Sequence, residues 1–186
     1  MSDKKSLRKF YKEKRDALFD KGLLFNISNK ICKKLDDKIK KAKNILLFYP
    51  FGSELDLLPL MDKNEDKNFY LPVCKGEKIV ACPYKKGDEL ILNKYKIKEP
   101  KTEPITDIGI LDIVITPALC ADKNCYRLGY GGGYYDRFFA DKNLRAKKIV
   151  VIPDEMFIES IPNDRFDIKC DMVISELRTV ARKSLL

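Results

Sequence analysis

The chain has 186 residues, of which 45% are hydrophobic and 35% charged, a composition typical of a globular protein with its own buried core. No apolar run approaches the roughly 20 residues that a membrane-spanning helix requires, which excludes a protein built from such helices. Six cysteines without a C-x-x-C pair and the lack of any histidine argue against a zinc site and against Ser-His or Cys-His nucleophile pairs.

Basic residues are concentrated in the first quarter of the chain. Of the 37 Lys/Arg and 28 Asp/Glu residues, fifteen and six lie within residues 1–43, which leaves twenty-two of each in the rest. Such a segment attracts anions, including nucleic acid, phosphate or a polyanionic small molecule, but two helices with solvated lysine-rich faces have the same composition. The N-terminal segment MSDKKSLRKF has no apolar signal core, so we expect a cytoplasmic protein whose cysteines are reduced thiols.

Apolar periodicity predicts two N-terminal helices followed by short buried strands. One helical face over residues 3–20 carries Leu7, Phe10, Tyr11, Lys14 and Leu18, and a second face over residues 23–41 carries Leu24, Ile27, Ile31, Leu35 and Ile39. Apolar runs predict strands at 44–50, 69–73, 78–84, 111–117, 148–153 and 171–176, with further helical stretches at 55–63 and 133–142. This alternation predicts an α/β protein with a largely parallel sheet, formed by a single domain over residues 1–186.

A glycine-rich segment follows the predicted strand 111–117, at the place where parallel sheets bind ligands. We call residues 129–133, which contain Gly129, Gly131, Gly132 and Gly133, the glycine loop. Glycines let backbone N–H groups approach phosphate oxygens, and a helix start favours an anion, so the loop is a candidate phosphate cradle. It lacks the Gly-Lys-Ser/Thr ending of a P-loop and departs from the G-x-G-x-x-G spacing, although Asp154 follows about twenty residues later, as a ribose-binding acid would. A strained turn without a ligand is the remaining interpretation.

The acid that follows the glycine loop narrows the choice of ligand. The carboxylate of Asp136 would repel bound phosphates unless Mg²⁺ lay between them, since Mg²⁺ binds carboxylates together with phosphate oxygens. The loop therefore favours a magnesium nucleotide over a bare dinucleotide. Asp122, which precedes the loop, is interpreted as a structural cap, and core packing is at least as good an interpretation of Tyr134 and Tyr135 as ligand stacking.

With these segments in view, the chain resembles the 5-formyltetrahydrofolate cyclo-ligases, also called 5,10-methenyltetrahydrofolate synthetases. KKSLR (4–8) is similar to the family's N-terminal basic element, and FYPFGSELDLLPL (48–60) to its first strand and acidic loop. DIVITPALCADKNCYRLGYGGGYYDRFF (112–139) is similar to its longest signature, and IPNDRFDIKCDMVISE (161–176) to its C-terminal element. These segments are spread over nearly the whole chain, and the G-Y-G-G-G-Y-Y-D-R string is highly specific.

The resemblance implies a three-layer αβα fold similar to that of sugar-phosphate isomerases. It also implies ATP- and Mg²⁺-dependent cyclisation of 5-formyltetrahydrofolate to 5,10-methenyltetrahydrofolate, with ADP and phosphate released through an N5 iminophosphate. A monomer without a nucleic-acid or membrane partner is expected. Two positions depart from the family pattern: Met156 stands where a glutamine that contacts folate is common, and Asn124-Cys125 stand where a glycine is common.

The resemblance also implies the residues of the site. Catalytic roles are implied for Glu54, Arg127 and Asp136. Magnesium would be bound by Asp136 and Asp167, with Asp171 as the alternative to Asp167. Folate would be bound by Tyr49, Glu54 and Tyr130. ATP would be bound by Lys4, Lys5, Ser6, Leu7, Arg8, Arg127, Leu128, Gly129, Tyr130, Gly131, Gly132, Gly133, Tyr134 and Tyr135.

Two rival functions come from other classes. A dinucleotide-dependent oxidoreductase would use the glycine loop and Asp154, and tight NADH binding without ATP binding would favour it. A nucleic-acid-binding module would use the two basic helices, and steeply salt-dependent RNA binding by residues 1–43 would favour it. The basic segment lacks the interleaved aromatic residues that are typical of single-strand binding, which weakens the second rival.

Overall fold

Both N-terminal helices form where the apolar periodicity predicts them. In the computed structural model, which describes residues 3–182, α1 spans Lys4–Asp20 and α2 spans Leu24–Ile39. The side chain of Asp3 caps α1 by accepting a hydrogen bond from the Ser6 N–H at 2.7 Å. None of the helices in this described part combines the length and apolarity that crossing a bilayer requires.

The buried face of α1 differs from the prediction at two positions, Phe10 and Arg15. Phe10 is 56% exposed, whereas Arg15 is only 3% exposed. Arg15 follows Leu7 and Tyr11 at four-residue spacing and precedes Leu18 by three, so it lies on the same helical face as these residues. An arginine reaches this buried position because its guanidinium finds polar partners in the site described below.

Twelve strands and two short helices follow. The helices are α3 (Pro59–Lys63) and α4 (Tyr134–Phe139), and 3-10 turns lie at Ile108–Ile110 and Asp154–Met156. The strands are β1 (Asn44–Leu46), β2 (Asn68–Lys75), β3 (Lys78–Pro83), β4 (Leu90–Leu92), β5 (Lys98–Pro100), β6 (Ile113–Pro117), β7 (Cys120–Asp122), β8 (Arg127–Leu128), β9 (Lys147–Val151), β10 (Phe157–Ile158), β11 (Met172–Ile174) and β12 (Thr179–Ala181).

The main sheet confirms the prediction of an α/β fold with a largely parallel sheet. Its seven strands lie in the order β12-β11-β9-β6-β1-β2-β3. The five inner strands are parallel, and only the edge strands β3 and β12 run antiparallel to their neighbours. Ile45, Ile115, Ile149 and Val173 are fully buried along it, as expected where a parallel sheet is covered on both faces. The three-layer arrangement, the likeness to sugar-phosphate isomerases and the single domain stay predictions, and residues 1–2 and 183–186 of that domain lie outside the described residues.

Several predicted elements are shorter than their apolar runs, and six short strands were not predicted. The strand predicted at 44–50 ends at Leu46, and the helix predicted at 55–63 begins at Pro59. β7 and β8 form a hairpin within the segment predicted as a loop, and β10 pairs with β7 to make a three-stranded sheet. β4 and β5 form a separate two-stranded sheet.

A buried carboxylate explains why the β7–β8 hairpin forms. Asp122 is fully buried, and its Oδ1 accepts hydrogen bonds from the N–H groups of Asn124 (2.9 Å) and Tyr126 (3.0 Å). Its Oδ2 accepts one from the Ile161 N–H at 2.9 Å. Asp122 therefore has the structural role that was expected of it, but it caps the turn between β7 and β8 and not the glycine loop. The turn also places Cys125 in the left-handed region at φ +65.

Replacing Asp122 by alanine is expected to destabilise the protein by about 3 kcal/mol, because three N–H groups lose their acceptor and one of them, that of Ile161, is buried. The measurement is the free energy of unfolding in urea, followed by circular dichroism. Asp141→Ala is the matched control, since the exposed side chain of Asp141 accepts, within residues 3–182, only the N–H of Asn143, and its expected loss is below about 1 kcal/mol. Equal losses for both variants would contradict this role of Asp122.

Candidate functional site

A cavity of about 860 Å³ lies at the carboxyl ends of the inner strands. Phe48 and Tyr49 line it just after β1, Cys74 lines it near the end of β2, and Pro117 lines it at the end of β6. The whole glycine loop (129–133) also lines it. The cavity therefore lies beyond the strand ends, where a ligand site was expected.

Helix α1 packs its first turns against the glycine loop. The guanidinium Nε of Arg8 donates a hydrogen bond to the Gly129 carbonyl at 3.0 Å. Gly131 has φ +101, a conformation that a side chain would strain, and a Cβ built there would also lie close to the Arg8 guanidinium carbon, at 3.3 Å. Lys4 and Arg8 both line the cavity, whereas Lys5 and Ser6 are exposed and Leu7 packs against the core. The structure thus brings two of the five predicted N-terminal residues into the cavity.

The glycine loop is bound to the protein through its carbonyl groups and not through the N–H groups of its last three glycines. Its carbonyls are held by arginines, because Arg8 binds the Gly129 carbonyl and Arg137 Nη2 binds the Gly132 carbonyl at 2.8 Å. None of the N–H groups of Gly131, Gly132 and Gly133 donates a hydrogen bond to residues 3–182. Three free donors beside two guanidinium groups are suited to binding a phosphate.

Arg127 and Asp136, which flank the glycine loop in the sequence, form an ion pair. The Arg127 side chain is only 4% exposed, and its Nη2 lies 3.1 Å from Asp136 Oδ1. Nη1 of Arg127 donates to the Ile168 carbonyl at 2.9 Å, and the Ile168 N–H donates to the same Asp136 oxygen at 3.1 Å. Asp136 Oδ2 accepts no hydrogen bond within the described chain. One oxygen of this carboxylate is therefore fixed and the other is available to a ligand.

Asp167, and not its competitor Asp171, lines the cavity. Asp167 Oδ2 lies 2.5 Å from Lys4 Nζ and accepts the Asp164 N–H at 2.7 Å, while its Oδ1 has no partner among residues 3–182. Asp171 instead accepts the Lys148 N–H at 2.8 Å. No group of three or more His, Cys, Asp or Glu in the described part of the chain is arranged to bind a metal by itself.

An acid and a phenol face each other where the glycine loop approaches the segment after β1. The Tyr130 hydroxyl donates to Glu54 Oε1 at 3.0 Å, and the Phe51 N–H donates to Oε2 at 3.0 Å. Burial raises the pKa of Glu54, although the Arg15 charge and these two donors oppose the shift. Burial also raises the pKa of Tyr130. A raised pKa makes Glu54 a stronger proton acceptor than an exposed glutamate.

The comparison with known proteins follows this geometry. The sequence model described as the 5-formyltetrahydrofolate cyclo-ligase family matches residues 1–176. The chain belongs to this family. A 5-formyltetrahydrofolate cyclo-ligase of Escherichia coli K12 is 30% identical over 142 residues, covering 72% of this chain and 78% of that one. One of Mycoplasma genitalium is 29% identical over 177 residues, covering 94% and 98%. The NMR structure of Aquifex aeolicus 5,10-methenyltetrahydrofolate synthetase has a TM-score of 0.84 and 28% identity, covering 97% of this chain and 93% of that one.

Neither Met156, which departs from the family pattern, nor Asp154, which suggested a dinucleotide site, lines the cavity of this cyclo-ligase fold. Met156 is fully buried and does not line it. The carboxylate of Asp154 is held by Arg178 at 2.6 and 2.7 Å and by the Ser175 hydroxyl at 2.5 Å. These partners occupy both carboxylate oxygens of Asp154. The acid that favoured a dinucleotide-binding protein is therefore explained as part of an ion pair within the fold.

The structure adds Arg15 to the polar residues around the cyclo-ligase cavity. Its Nη2 donates to the Tyr130 hydroxyl, and its Nε donates to Ser53 Oγ at 3.1 Å. Arg15 therefore orients the phenol that contacts Glu54. Arg15 follows Leu7 and Tyr11 at four-residue spacing, and this spacing was the available signal in the sequence. Because exposed lysines surround Arg15 in the sequence, the spacing did not show that this basic residue is buried.

A second glutamate also lines the cavity. Glu99 in β5 is 5% exposed, and its Oε1 accepts hydrogen bonds from the Cys74 N–H at 2.8 Å and from Asn93 Nδ2 at 2.7 Å. Beside it, the Lys98 ammonium lies 5.4 Å from the centre of the Tyr49 ring. These contacts join the β4–β5 sheet to the cavity, and no sequence pattern indicated them because β5 was not predicted.

Proposed function

We propose that this protein cyclises 5-formyltetrahydrofolate to 5,10-methenyltetrahydrofolate with cleavage of ATP to ADP and phosphate. The observation that carries the proposal is the position of Tyr130, which belongs to the glycine loop and donates to Glu54. A phosphate-binding set of N–H groups and cations therefore lies beside an acid–phenol pair in one cavity. Its volume of about 860 Å³ lies in the upper part of the usual range for small-molecule pockets, as two co-substrates require. The names of the relatives support the same reaction.

The proposed chemistry has two steps. The formyl oxygen attacks the γ-phosphorus of ATP, the bond between this phosphorus and the ADP oxygen breaks, and an N5 iminophosphate forms. N10 of the same folate then attacks the activated carbon, the carbon–oxygen bond breaks, and the N10 proton ends on the released phosphate. Since both nucleophiles belong to the substrates, the protein needs to position them and to neutralise phosphate charge, and it needs no histidine.

The residues of the cavity have complementary roles in this proposal. Lys4, Arg8 and the free N–H groups of the glycine loop would bind the phosphates of ATP, because charge-assisted hydrogen bonds suit their anionic oxygens. Buried Arg127 would lower the energy of the charge that develops on the transferred phosphoryl group. Glu54, oriented by Tyr130, would accept hydrogen bonds from the folate, and Tyr49 would contact its ring.

Asp136 and Asp167 fit a magnesium ion. Each has one carboxylate oxygen fixed by a cation and a backbone N–H, and one oxygen without a partner among residues 3–182. Oxygen ligands of this kind, together with phosphate oxygens, are what Mg²⁺ prefers. When bound, Mg²⁺ supplies neutralisation of phosphate charge.

An absorbance assay tests the proposal. Purified protein is mixed with 5-formyltetrahydrofolate, ATP and Mg²⁺, and the near-ultraviolet band of the methenyl product is followed. We expect an increase that requires ATP and that a chelator abolishes. If the folded protein forms no methenyl product, the likeness to the family extends to the fold and not to the activity. The next measurement is then which nucleotide the glycine loop binds.

Replacing Arg8 by alanine is expected to raise the KM for ATP about 10-fold, because the variant loses a charged donor beside the glycine loop. Steady-state kinetics with varied ATP at saturating folate measure the change. Lys9→Ala is the matched control, since it removes one positive charge from the neighbouring exposed position of α1. The same KM in both variants would mean that Arg8 contributes only long-range charge.

A further inference from the structure

One buried carboxylate on the β5 side of the cavity has a free oxygen. Glu99 lines the cavity and is 5% exposed, and its Oε1 accepts the Cys74 N–H at 2.8 Å and Asn93 Nδ2 at 2.7 Å. Its Oε2 accepts no hydrogen bond and forms no ion pair within residues 3–182. This oxygen keeps accessible surface, since the only inaccessible side-chain nitrogen or oxygen without a partner there is the Tyr135 hydroxyl. A ligand in the cavity can therefore reach Glu99 Oε2.

The groups beside Glu99 leave this oxygen to a ligand. The Lys98 ammonium lies 5.4 Å from the centre of the Tyr49 ring and does not pair with the carboxylate. The Cys74 thiol lies near the carboxylate, and burial together with the Glu99 charge raises the pKa of this thiol to about 11. The thiol therefore keeps its proton, but it is a weak donor, which an amino group of a ligand can replace. A carboxylate buried without a cation is accounted for if its ligand supplies a donor.

The order of the strands places Glu99 beyond Glu54 when the cavity is followed from the glycine loop. β6, β1 and β2 are neighbours in the main sheet, and neighbouring strands lie about 4.8 Å apart. The glycine loop belongs to the segment after β6. Glu54 follows β1 and contacts the loop through Tyr130, whereas Glu99 is bound to β2. A folate whose reacting atoms lie near the glycine loop and Glu54 therefore extends toward Glu99.

The chemistry of the folate decides which of its parts faces Glu99. The benzoylglutamate part ends in carboxylates, which the carboxylate of Glu99 would repel. The pteridine carries the reacting N5 on one ring, and its other ring carries two neighbouring donors, the 2-amino group and the N3–H. Apolar Pro72, Ile79 and Ile97 line the same cavity, as suits a flat ring that a few polar groups orient. The donor edge of the pteridine therefore matches Glu99.

We propose that Glu99 Oε2 accepts a hydrogen bond from the 2-amino group of the folate pteridine and so holds the ring with N5 toward the glycine loop. Glu99 exchanges no proton with the folate, and its hydrogen bond persists through both steps of the reaction. Glu54, beside the loop, then serves the N–H donors near the reacting atoms, while Glu99 selects pteridines that carry a 2-amino group. This role rests on the proposed function, and it gives the two carboxylates of the cavity separate tasks.

A 5-formyltetrahydrofolate analogue in which methyl replaces the 2-amino group tests this role, because N5, N10 and the formyl group are unchanged. With the wild type, we expect kcat/KM for the analogue to be about 30-fold below that for 5-formyltetrahydrofolate, since a buried carboxylate loses its donor. Glu99→Gln should raise the KM for 5-formyltetrahydrofolate about 10-fold, leave the KM for ATP within about twofold, and reduce the penalty for the analogue to about threefold. A merely structural role of Glu99 would leave that penalty unchanged.

Glu89→Gln is the matched control. Exposed Glu89 precedes β4, lies outside the cavity and pairs with Lys101 at 2.6 Å. This variant should keep both KM values and the full penalty for the analogue.

Two outcomes overturn the inference. One is equal use of the analogue and of 5-formyltetrahydrofolate by the wild type, which decides the matter even if Glu99→Gln does not fold. The other is an equal penalty for the analogue in the wild type and in Glu99→Gln. A wild type that forms no methenyl product from 5-formyltetrahydrofolate would remove the proposed function and this inference with it, whereas an active wild type without the penalty removes the inference alone.

Discussion

Asp136→Asn is expected to lower kcat about 1,000-fold while the fold is retained, because the variant loses the negative charge that would hold Mg²⁺ at the transferred phosphoryl group. Asparagine keeps the shape of the side chain and one oxygen. That oxygen can still accept the hydrogen bonds that Arg127 and the Ile168 N–H now donate to Asp136 Oδ1. The ion pair with Arg127 is lost, and because the Arg127 side chain is only 4% exposed, we expect a loss of stability of about 1–3 kcal/mol, which leaves the protein folded.

Two measurements check this expectation. Steady-state kinetics give kcat, and an Mg²⁺ titration of nucleotide binding gives the apparent affinity for the metal, which should weaken in Asp136→Asn. Asp171→Asn is the comparison variant, because Asp171 lies outside the cavity and binds the Lys148 N–H. Asp171→Asn should keep a kcat close to wild type. Full activity of Asp136→Asn at ordinary Mg²⁺ concentrations would remove Asp136 from the metal site.

The parts of the fold that depend on local pattern could be predicted from the sequence. The two N-terminal helices follow from apolar residues at three- and four-residue spacing, and the inner strands from short apolar runs. The six unpredicted strands have two or three residues each, which is too short for a periodic signal. The β7–β8 hairpin depends on Asp122, which also binds the Ile161 N–H 39 residues later in the chain, and no local pattern contains that contact.

The candidate site shows the same division between local and distant contacts. Residue type and spacing pointed to the glycine loop and Asp136, and the family resemblance implied Glu54. They could not identify Arg15 or Glu99. Arg15 is surrounded in the sequence by solvated lysines, and its burial follows from Tyr130 and Ser53, which come from two other segments. The choice between Asp167 and Asp171 likewise required knowing which of them faces Lys4.

Glu54→Gln is expected to raise the KM for 5-formyltetrahydrofolate about 30-fold and to leave the KM for ATP within about twofold, because a carboxylate binds ligand N–H donors more strongly than a neutral amide does. Steady-state kinetics with each substrate varied in turn separate the two constants. Glu159→Gln, which alters an exposed glutamate paired with Lys123, is the control and should change neither constant. An unchanged folate KM in Glu54→Gln would remove Glu54 from the folate site.

The pH dependence of the same two proteins supplies an independent test. Burial raises the pKa of Glu54, so the side chain loses its charge as the pH falls through a value above that of an ordinary glutamate. Folate binding by the wild type should therefore weaken in acid earlier than an exposed carboxylate would cause. The sign follows from the raised pKa: the charged form, which binds, is present above it and is lost below it. Glu54→Gln cannot lose a charge there, so the acidic decrease attributable to this residue should be absent from its profile of kcat/KM for folate. If kcat/KM for folate decreases identically in acid for both proteins, a group other than Glu54 titrates, and the charge of Glu54 does not contribute to folate binding.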